Sequence, residues 1–304
     1  MAQARKMAKT ITVLGATGKV GHVLVERLLA GGAAVRAIGR SADRLAPLAA
    51  RGAEPHVGLA EDPRFLAEAF RRADAAFVLL PPDIGHPDPA ARARALADAA
   101  SAALQVARVP RAVTLSSIGA DHSEGNGPIA GLHYLERRVN AIPGIHTLHL
   151  RAGYFYENLL AGIGLIRSAG INGGGLAPDV PVVMIASRDI GEVAASLLTN
   201  PTFTGQRSRE LRGPRSYTSR EATAILGAAI QRPDLAYVQF PEADVRAALL
   251  SAGFSPALAD QYLEMIRGLN SGSIRALEPR SPANTTPTTL EEFAGSVFAP
   301  AFGQ

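Results

Sequence analysis

Thr10-Ile11-Thr12-Val13-Leu14-Gly15-Ala16-Thr17-Gly18-Lys19-Val20-Gly21 opens this chain as an apolar run, a Gly-rich turn and a helix start. The order strand, glycine turn, helix is that of a dinucleotide-binding turn. Gly15 lets the chain leave the strand sharply, Gly18 lets backbone approach a pyrophosphate, and Gly21 lets the following helix pack tightly on the sheet. The free N–H groups and positive dipole end of that helix then face the phosphates.

The same alternation continues downstream. Strands are expected at Ile11–Leu14, Ala34–Ile38, Glu54–Val57, Ala75–Leu80, Ala112–Ser116 and His146–Arg151. Helices are expected between them, near Gly18–Ala30, Arg44–Arg51, Pro63–Ala73, Pro89–Arg108 and Ile129–Asn140. Ala75–Leu80 carries no charge, as a strand buried on both faces requires. Such βαβα alternation predicts an α/β protein of Rossmann type, a doubly wound parallel sheet, with ligand at the carboxyl ends of its strands.

Beyond Ser117 the connections lengthen. Glu157–Ser168 reads as helix, Gly170–Pro178 as a Gly-rich turn region, Val182–Ile185 as a short strand and Ile190–Asn200 as helix. Thr218-Ser219-Arg220-Glu221 is a capping box that opens a helix to about Ala229. A strand near Ala236–Phe240 and helices near Glu242–Ala252 and Ser255–Gly268 follow, then irregular chain over Asn270–Pro287 and a last helix, Thr289–Phe298, begun by Thr288. The expected division is a flexible lead-in over 1–9, a Rossmann domain over 10–155 completed by about 180–200, and a smaller, interleaved C-terminal α/β lobe from 156–179 and 201–304.

Composition removes several classes. No apolar run reaches the roughly 18 residues that cross a bilayer, and the basic stretch Met1–Lys9 lacks the apolar core of a signal peptide. With no cysteine, disulfides, thiolate catalysis and Cys-ligated metals are excluded, and a cytoplasmic address is the expectation. The net charge of +4 is dispersed and Trp is absent, which argues against nucleic acid as a partner. His146 and His149 stand three apart on a strand and point to opposite faces, so no metal site is expected. The expected partner is a small-molecule substrate, without nucleic acid or membrane, and with a homodimer as the candidate assembly.

Where an NAD site places an acid at the end of the second strand, this chain has Arg40, with Ser41 beside it and Arg44 one turn on. A guanidinium suits a 2′-phosphate through forked, charge-assisted hydrogen bonds, so Arg40 points to NADPH; otherwise it caps a surface loop. Lys19 either adds charge to the same phosphates or is a solvated first-turn residue. Leu79-Leu80-Pro81-Pro82 offers an apolar shelf without N–H donors beneath the adenosine half, or simply ends a strand. Ser116 and Ser117 close the fifth strand, where the nicotinamide end would arrive; either hydroxyl could bond the carboxamide, a substrate carbonyl or its own turn.

Gly15–Gly21, Arg40 and Ser116-Ser117-Ile118-Gly119-Ala120 together resemble the NmrA-like family of atypical short-chain dehydrogenase/reductases. His133-Tyr134-Leu135-Glu136, Leu150–Leu160, Arg188–Ala194 and Thr286–Phe293 extend the resemblance over nearly the whole chain. It implies a Rossmann domain, a smaller lobe and a cleft between them. It gives the phosphates to Gly15, Thr17, Gly18, Lys19 and Val20, the 2′-phosphate to Arg40, and the adenosine half to Leu80 and Pro81. His133 and Tyr154 come to the nicotinamide and are the candidates for a catalytic group. For His133 the competing role is a bond to a neighbouring loop; for Tyr154 and Phe155 it is core packing, and for Asn158 holding a loop.

One departure limits the chemistry. Short-chain dehydrogenases use Tyr-x-x-x-Lys, in which the lysine lowers the tyrosine pKa. Here Tyr134 is followed by Arg138, and Leu132 stands where many relatives carry lysine. Quinone reduction tolerates the loss, because hydride lands on an electron-poor ring and water protonates the product. The expected function is therefore an NADPH-dependent oxidoreductase acting on a quinone-like or other conjugated, electron-poor molecule. The alternative is a non-catalytic NADP(H)-binding sensor that acts through a protein partner, and imine or aldehyde reduction would require a clear proton donor.

Overall fold

Alternating apolar residues build a central sheet whose two faces are covered by different helices. The computed structural model describes residues 8–304, so most of the expected lead-in lies outside the described residues. The sheet strands are β1 (Thr10–Leu14), β2 (Ala34–Gly39), β3 (Glu54–Val57), β4 (Ala75–Val78), β5 (Arg111–Ser117) and β6 (His146–Ala152). Between them run α1 (Lys19–Ala30), α2 (Ala42–Ala50), α3 (Pro63–Phe70), α4 (Pro89–Val106) and α5 (Ile129–Asn140). The chain continues through β7 (Tyr154–Phe155), α6 (Ile163–Ala169), β8 (Ile171–Gly174), β9 (Val182–Ile185), α7 (Ser187–Thr199), β10 (Gln206–Leu211) and β11 (Ser216–Tyr217). It ends with α8 (Ser219–Ala229), β12 (Ala236–Gln239), α9 (Glu242–Ser251), α10 (Pro256–Ser271), α11 (Leu290–Phe293) and α12 (Ala299–Gly303).

The seven-stranded order is β10-β6-β5-β4-β1-β2-β3, and every pairing is parallel. In β1, Ile11 and Val13 join the core formed with α1, α2 and α7, while Leu14 joins the opposite core under α3, α4 and α5. β4 divides likewise, Phe77 facing one core and Ala76 and Val78 the other. Strand order reverses between β1 and β4, so a crevice opens at the carboxyl ends of the strands there.

A third core packs Tyr156, Met184, Tyr217, Leu226, Phe293 and Phe298 together. Two small sheets flank it, β11-β9-β7 and β12-β8. Among the described residues no helix is long and apolar enough to cross a membrane.

The chain departs from its expected division where long-range pairing overrides local pattern. Gln206–Leu211, assigned to the smaller lobe, pairs with β6 from Gln206↔Thr147 to Leu211↔Ala152 and is the seventh strand of the central sheet. Its outer position leaves Gln206, Arg207 and Ser208 exposed, so it has no apolar signature; charged edge residues also discourage pairing with another chain. Within the expected turn region, Ile171–Gly174 is a strand because β12 pairs with it. Tyr156–Gly162 is a 3₁₀ turn, and only Ile163–Ala169 of that stretch is α-helix. The last helix is capped by Thr289, whose hydroxyl accepts from Glu292 N–H, and not by Thr288. Thr288 is bonded instead to buried Asp189, which accepts from its N–H at 3.1 Å and its hydroxyl at 2.6 Å.

Candidate functional site

Gly15 takes φ +77°, a conformation that L side chains rarely adopt, and a Cβ there would lie 2.8 Å from Leu79. Gly18 is the N-cap of α1 and donates its N–H to the Gly15 carbonyl at 3.0 Å. A Cβ on Gly21 would lie 2.2 Å from the Gly15 carbonyl oxygen and 3.0 Å from Ala16 Cα. The tight approach expected for Gly21 is thus made against the turn itself. Val20 is buried against the sheet, so it has only its backbone to offer a ligand.

No side chain among the described residues caps α1, and its first turn holds no acid. By comparison α2, α3, α4 and α8 are capped by Ser41, Asp62, Asp88 and Thr218, while α5, α7 and α9 are, like α1, without a side-chain cap. A twelve-residue helix left with bare N–H groups behind a glycine turn fits a pyrophosphate: the donors are free, and no Cβ stands in the way.

Arg40 follows β2 immediately, is exposed, and has no carboxylate partner among the described residues. Lys19 is likewise exposed at the first position of α1. Ser41 caps α2 by accepting from Arg44 N–H at 3.3 Å. The Arg44 side chain then reaches the turn, where Nη2 donates to the Thr17 carbonyl at 3.2 Å. Arg44 therefore braces the glycine turn against α2 and keeps cationic charge beside Arg40.

β4 stops at Val78, leaving Leu79, Leu80 and Pro81 half-buried at its carboxyl end. The Pro81 carbonyl accepts from Arg92 Nη1 at 2.7 Å, and Arg92 also pairs with Glu61 at 2.7 Å. One guanidinium from α4 thus anchors the loop after β4 to the loop after β3.

At the end of β5 the two serines separate. Ser116 is buried and donates to Glu136 Oε1 at 2.6 Å. Arg151 on β6 donates to the same carboxylate through Nε at 3.0 Å and Nη2 at 2.7 Å. That bond holds the Arg151 guanidinium above its ordinary pKa. The Ser116 hydroxyl is committed to this network, while Ser117 lines a cavity and donates to the Ile118 carbonyl at 2.9 Å. His133, half-buried on α5, donates Nδ1–H to the Ala120 carbonyl at 2.8 Å. Its competing role as a loop anchor is therefore present, and the same bond fixes the ring with Nε2 as an acceptor.

The cavity has a volume of about 280 Å³ and opens beyond β5 and β6. Ser117 and Ile118 form one side, Gly153 and Tyr154 another, and Val182 and Val183 of β9 a third. Met265 and Leu269 of α10, with Ile274 and Arg275 after it, close the cavity from the second lobe. Burial pushes the Tyr154 phenol up to about 12, with Tyr262 and Tyr237 adding to the shift and Asn158 opposing it. Tyr154 therefore keeps its proton at neutral pH and can donate a hydrogen bond, but it is a poor base.

Sequence reasoning missed the residues that hold these groups in place. Glu136 carried a readable signal, since it sits beside Leu135 and Val139 on the buried stripe of α5, where an acid needs a partner. Ile274 and Arg275 carried none. They belong to a stretch read as irregular chain, and they meet Ser117 and Ile118 only through the tertiary fold.

Comparison with known proteins agrees with this fold. The model of the NmrA-like family matches residues 7–294. A (4-alkanoyl-5-oxo-2,5-dihydrofuran-3-yl)methyl phosphate reductase of Streptomyces griseus is 30% identical over 271 residues, 88% of this chain and 90% of that protein. An NAD(P)H azoreductase of Xenophilus azovorans is 30% identical over 257 residues, 84% of this chain and 85% of its own length. Among solved structures, the NADPH-dependent quinone oxidoreductase of Escherichia coli complexed with NADPH superposes with a TM-score of 0.80 at 25% identity, covering 95% of this chain and 99% of the other.

Proposed function

This chain belongs to the NmrA-like family, and on that premise we propose that it is an NADPH-dependent reductase acting on a conjugated, electron-poor small molecule such as a quinone. One observation carries the reading. An uncapped glycine turn, a cation without an acid at the end of β2 and an apolar cavity past β5 and β6 all open at the carboxyl ends of one parallel sheet. Relatives described as reductases of a furanone phosphate, an azo compound and a quinone support the same class.

NADPH, when bound, supplies a hydride. In this reading Gly15, Thr17, Gly18, Lys19 and Val20 cradle the pyrophosphate, the two glycines by leaving it room and Thr17, Lys19 and Val20 through their N–H groups, and Arg40 with Lys19 binds the 2′-phosphate. Leu80 and Pro81 support the adenosine half. Ser116 acts through Glu136 and Arg151, which lock the ends of β5 and β6 together and so set the cavity floor. The cavity walls exclude water and hold a flat acceptor in register. His133 Nε2 and the Tyr154 O–H are the polar groups offered near the reacting ring, the first accepting and the second donating. Tyr154 orients a substrate carbonyl, and solvent supplies the proton, because a phenol held at about 12 gives up its own reluctantly.

NADPH consumption followed by its near-ultraviolet absorbance, with a panel of small quinones, tests the proposal. Turnover with NADPH is expected, and Arg40→Ala should weaken NADPH by roughly 10-fold or more while leaving NADH within about 2-fold, as losing one charge-assisted bond implies. Tight NADPH binding without turnover on any acceptor would replace the reductase with the non-catalytic sensor. Equal losses for both cofactors would remove Arg40 from the 2′-phosphate.

A further inference from the structure

The cavity beyond β5 and β6 has an asymmetric wall. Sixteen described residues line it, and Arg275 is the one among them with a charged side chain. Three arginines of the second lobe are matched by acids, Arg246 with Asp260 at 2.6 Å, Arg267 with Glu242 at 2.8 Å and Arg220 with Asp179 at 2.9 Å, whereas Arg232 and Arg280 donate to carbonyls. Arg275 has no such partner among the described residues, and its guanidinium donates to the Gly272 carbonyl at 3.0 Å.

The local backbone holds this arginine in place. Gly272 ends α10 in the left-handed conformation, with φ +74°, and Ile274 N–H returns to the Gly268 carbonyl at 3.0 Å. Ile274 then fills the space that two glycines leave open. A Cβ on Gly268 would come within 2.6 Å of it, and one on Gly119 within 3.0 Å. With Ile274 wedged between α10 and the loop after β5, the next residue is held at the rim.

We infer that the acceptor taken by this cavity is an anionic conjugated molecule, its ring in the apolar interior and a carboxylate, sulfonate or phosphate substituent beside Arg275. An apolar wall strengthens a nearby charge pair by lowering the local dielectric, and an arginine without an internal acid pays no cost of breaking an existing ion pair. The inference rests on the reductase reading only in taking the cavity as the acceptor site.

Calorimetric titration of the full chain saturated with NADP⁺ tests it, with 2-naphthoate and its neutral isostere 2-naphthamide as probes. The naphthoate should bind about 10-fold or more tightly than the amide. The ratio should collapse toward one in Arg275→Gln and survive in Arg275→Lys. No preference in the unaltered chain, or a preference that persists in Arg275→Gln, would overturn the assignment. Because the readout is binding, it stands apart from catalysis: failure to oxidise NADPH with every acceptor, neutral and anionic quinones alike, would refute the reductase reading and leave the charge preference to be read.

Discussion

Replacing Gly21 by alanine adds a single methyl group at the closest approach in the molecule between α1 and the glycine turn. That Cβ would sit 2.2 Å from the Gly15 carbonyl oxygen, 2.9 Å from Gly15 C and 3.0 Å from Ala16 Cα. An ordinary contact needs at least about 3.3 Å, so helix and turn must part by roughly 1 Å, and both obstacles are backbone that no rotamer change can remove. The overpacking should cost about 1–3 kcal/mol, against which better helix propensity returns at most about 1 kcal/mol. A net loss of about 1–2 kcal/mol is expected in urea unfolding. The displaced turn should also weaken NADPH by more than 10-fold, since its N–H groups move off the phosphates. Gly295 is the matched control: it lies in the C-terminal helical run with nothing within 4 Å of its Cβ position, so Gly295→Ala should be neutral or stabilising. Unchanged stability and unchanged NADPH affinity in Gly21→Ala would refute the reasoning.

Glu136→Ala should lose about 3–5 kcal/mol in the same assay, because Arg151 and Ser116 would be left without their shared carboxylate. Glu136→Gln, which keeps an acceptor, should lose distinctly less, and equal losses would mean that the charge carries the whole effect and the neutral acceptor none. His149 gives a pH dependence. Its ring lies between Thr114 at 2.7 Å and Asn140 at 2.9 Å, and burial pushes its pKa from 6.5 down to about 4, with Glu136 opposing the shift and Arg151 assisting it. The unfolded chain binds the extra proton between those values, so this contribution is fully present above pH 6.5 and is lost as pH falls toward 4, by about 3 kcal/mol in all. The slope of stability against pH over that window should flatten in His149→Gln; an unchanged slope would assign it to other groups. The Tyr154 phenol, held at about 12, should contribute no limb to the rate profile between pH 7 and 10, and a limb abolished by Tyr154→Phe would contradict its burial.

Most of the central sheet was legible because its signals are local. Glu54–Val57 of that sheet, the helix Ile129–Asn140 beside it and Val182–Ile185 of the small sheet begin and end where the pattern of apolar residues and turns places them. Gln206–Leu211 was not legible, since an edge strand with an exposed polar start has no periodicity to report, only a neighbour in β6. Ser116 shows the limit at the level of one atom. Its position at the end of β5 was readable, but the direction of its hydroxyl depends on Glu136 and Arg151, which lie 20 and 35 positions away in the chain.

By itself the stretch Thr10–Gly21 determined the kind of fold and the kind of ligand. A glycine in the left-handed region, a helix start without a capping side chain and an apolar strand are properties of consecutive residues, and the chain can meet them in few ways. Arg40 belongs with them, because the end of β2 is a fixed place relative to that turn. The cavity beyond β5 and β6 was decided only by tertiary structure. Ser117, Tyr154, Val183 and Ile274 share a wall because β5, β6, β9 and the end of α10 converge there. Contacts across such separations follow from the packing of whole elements and leave no pattern in the local sequence.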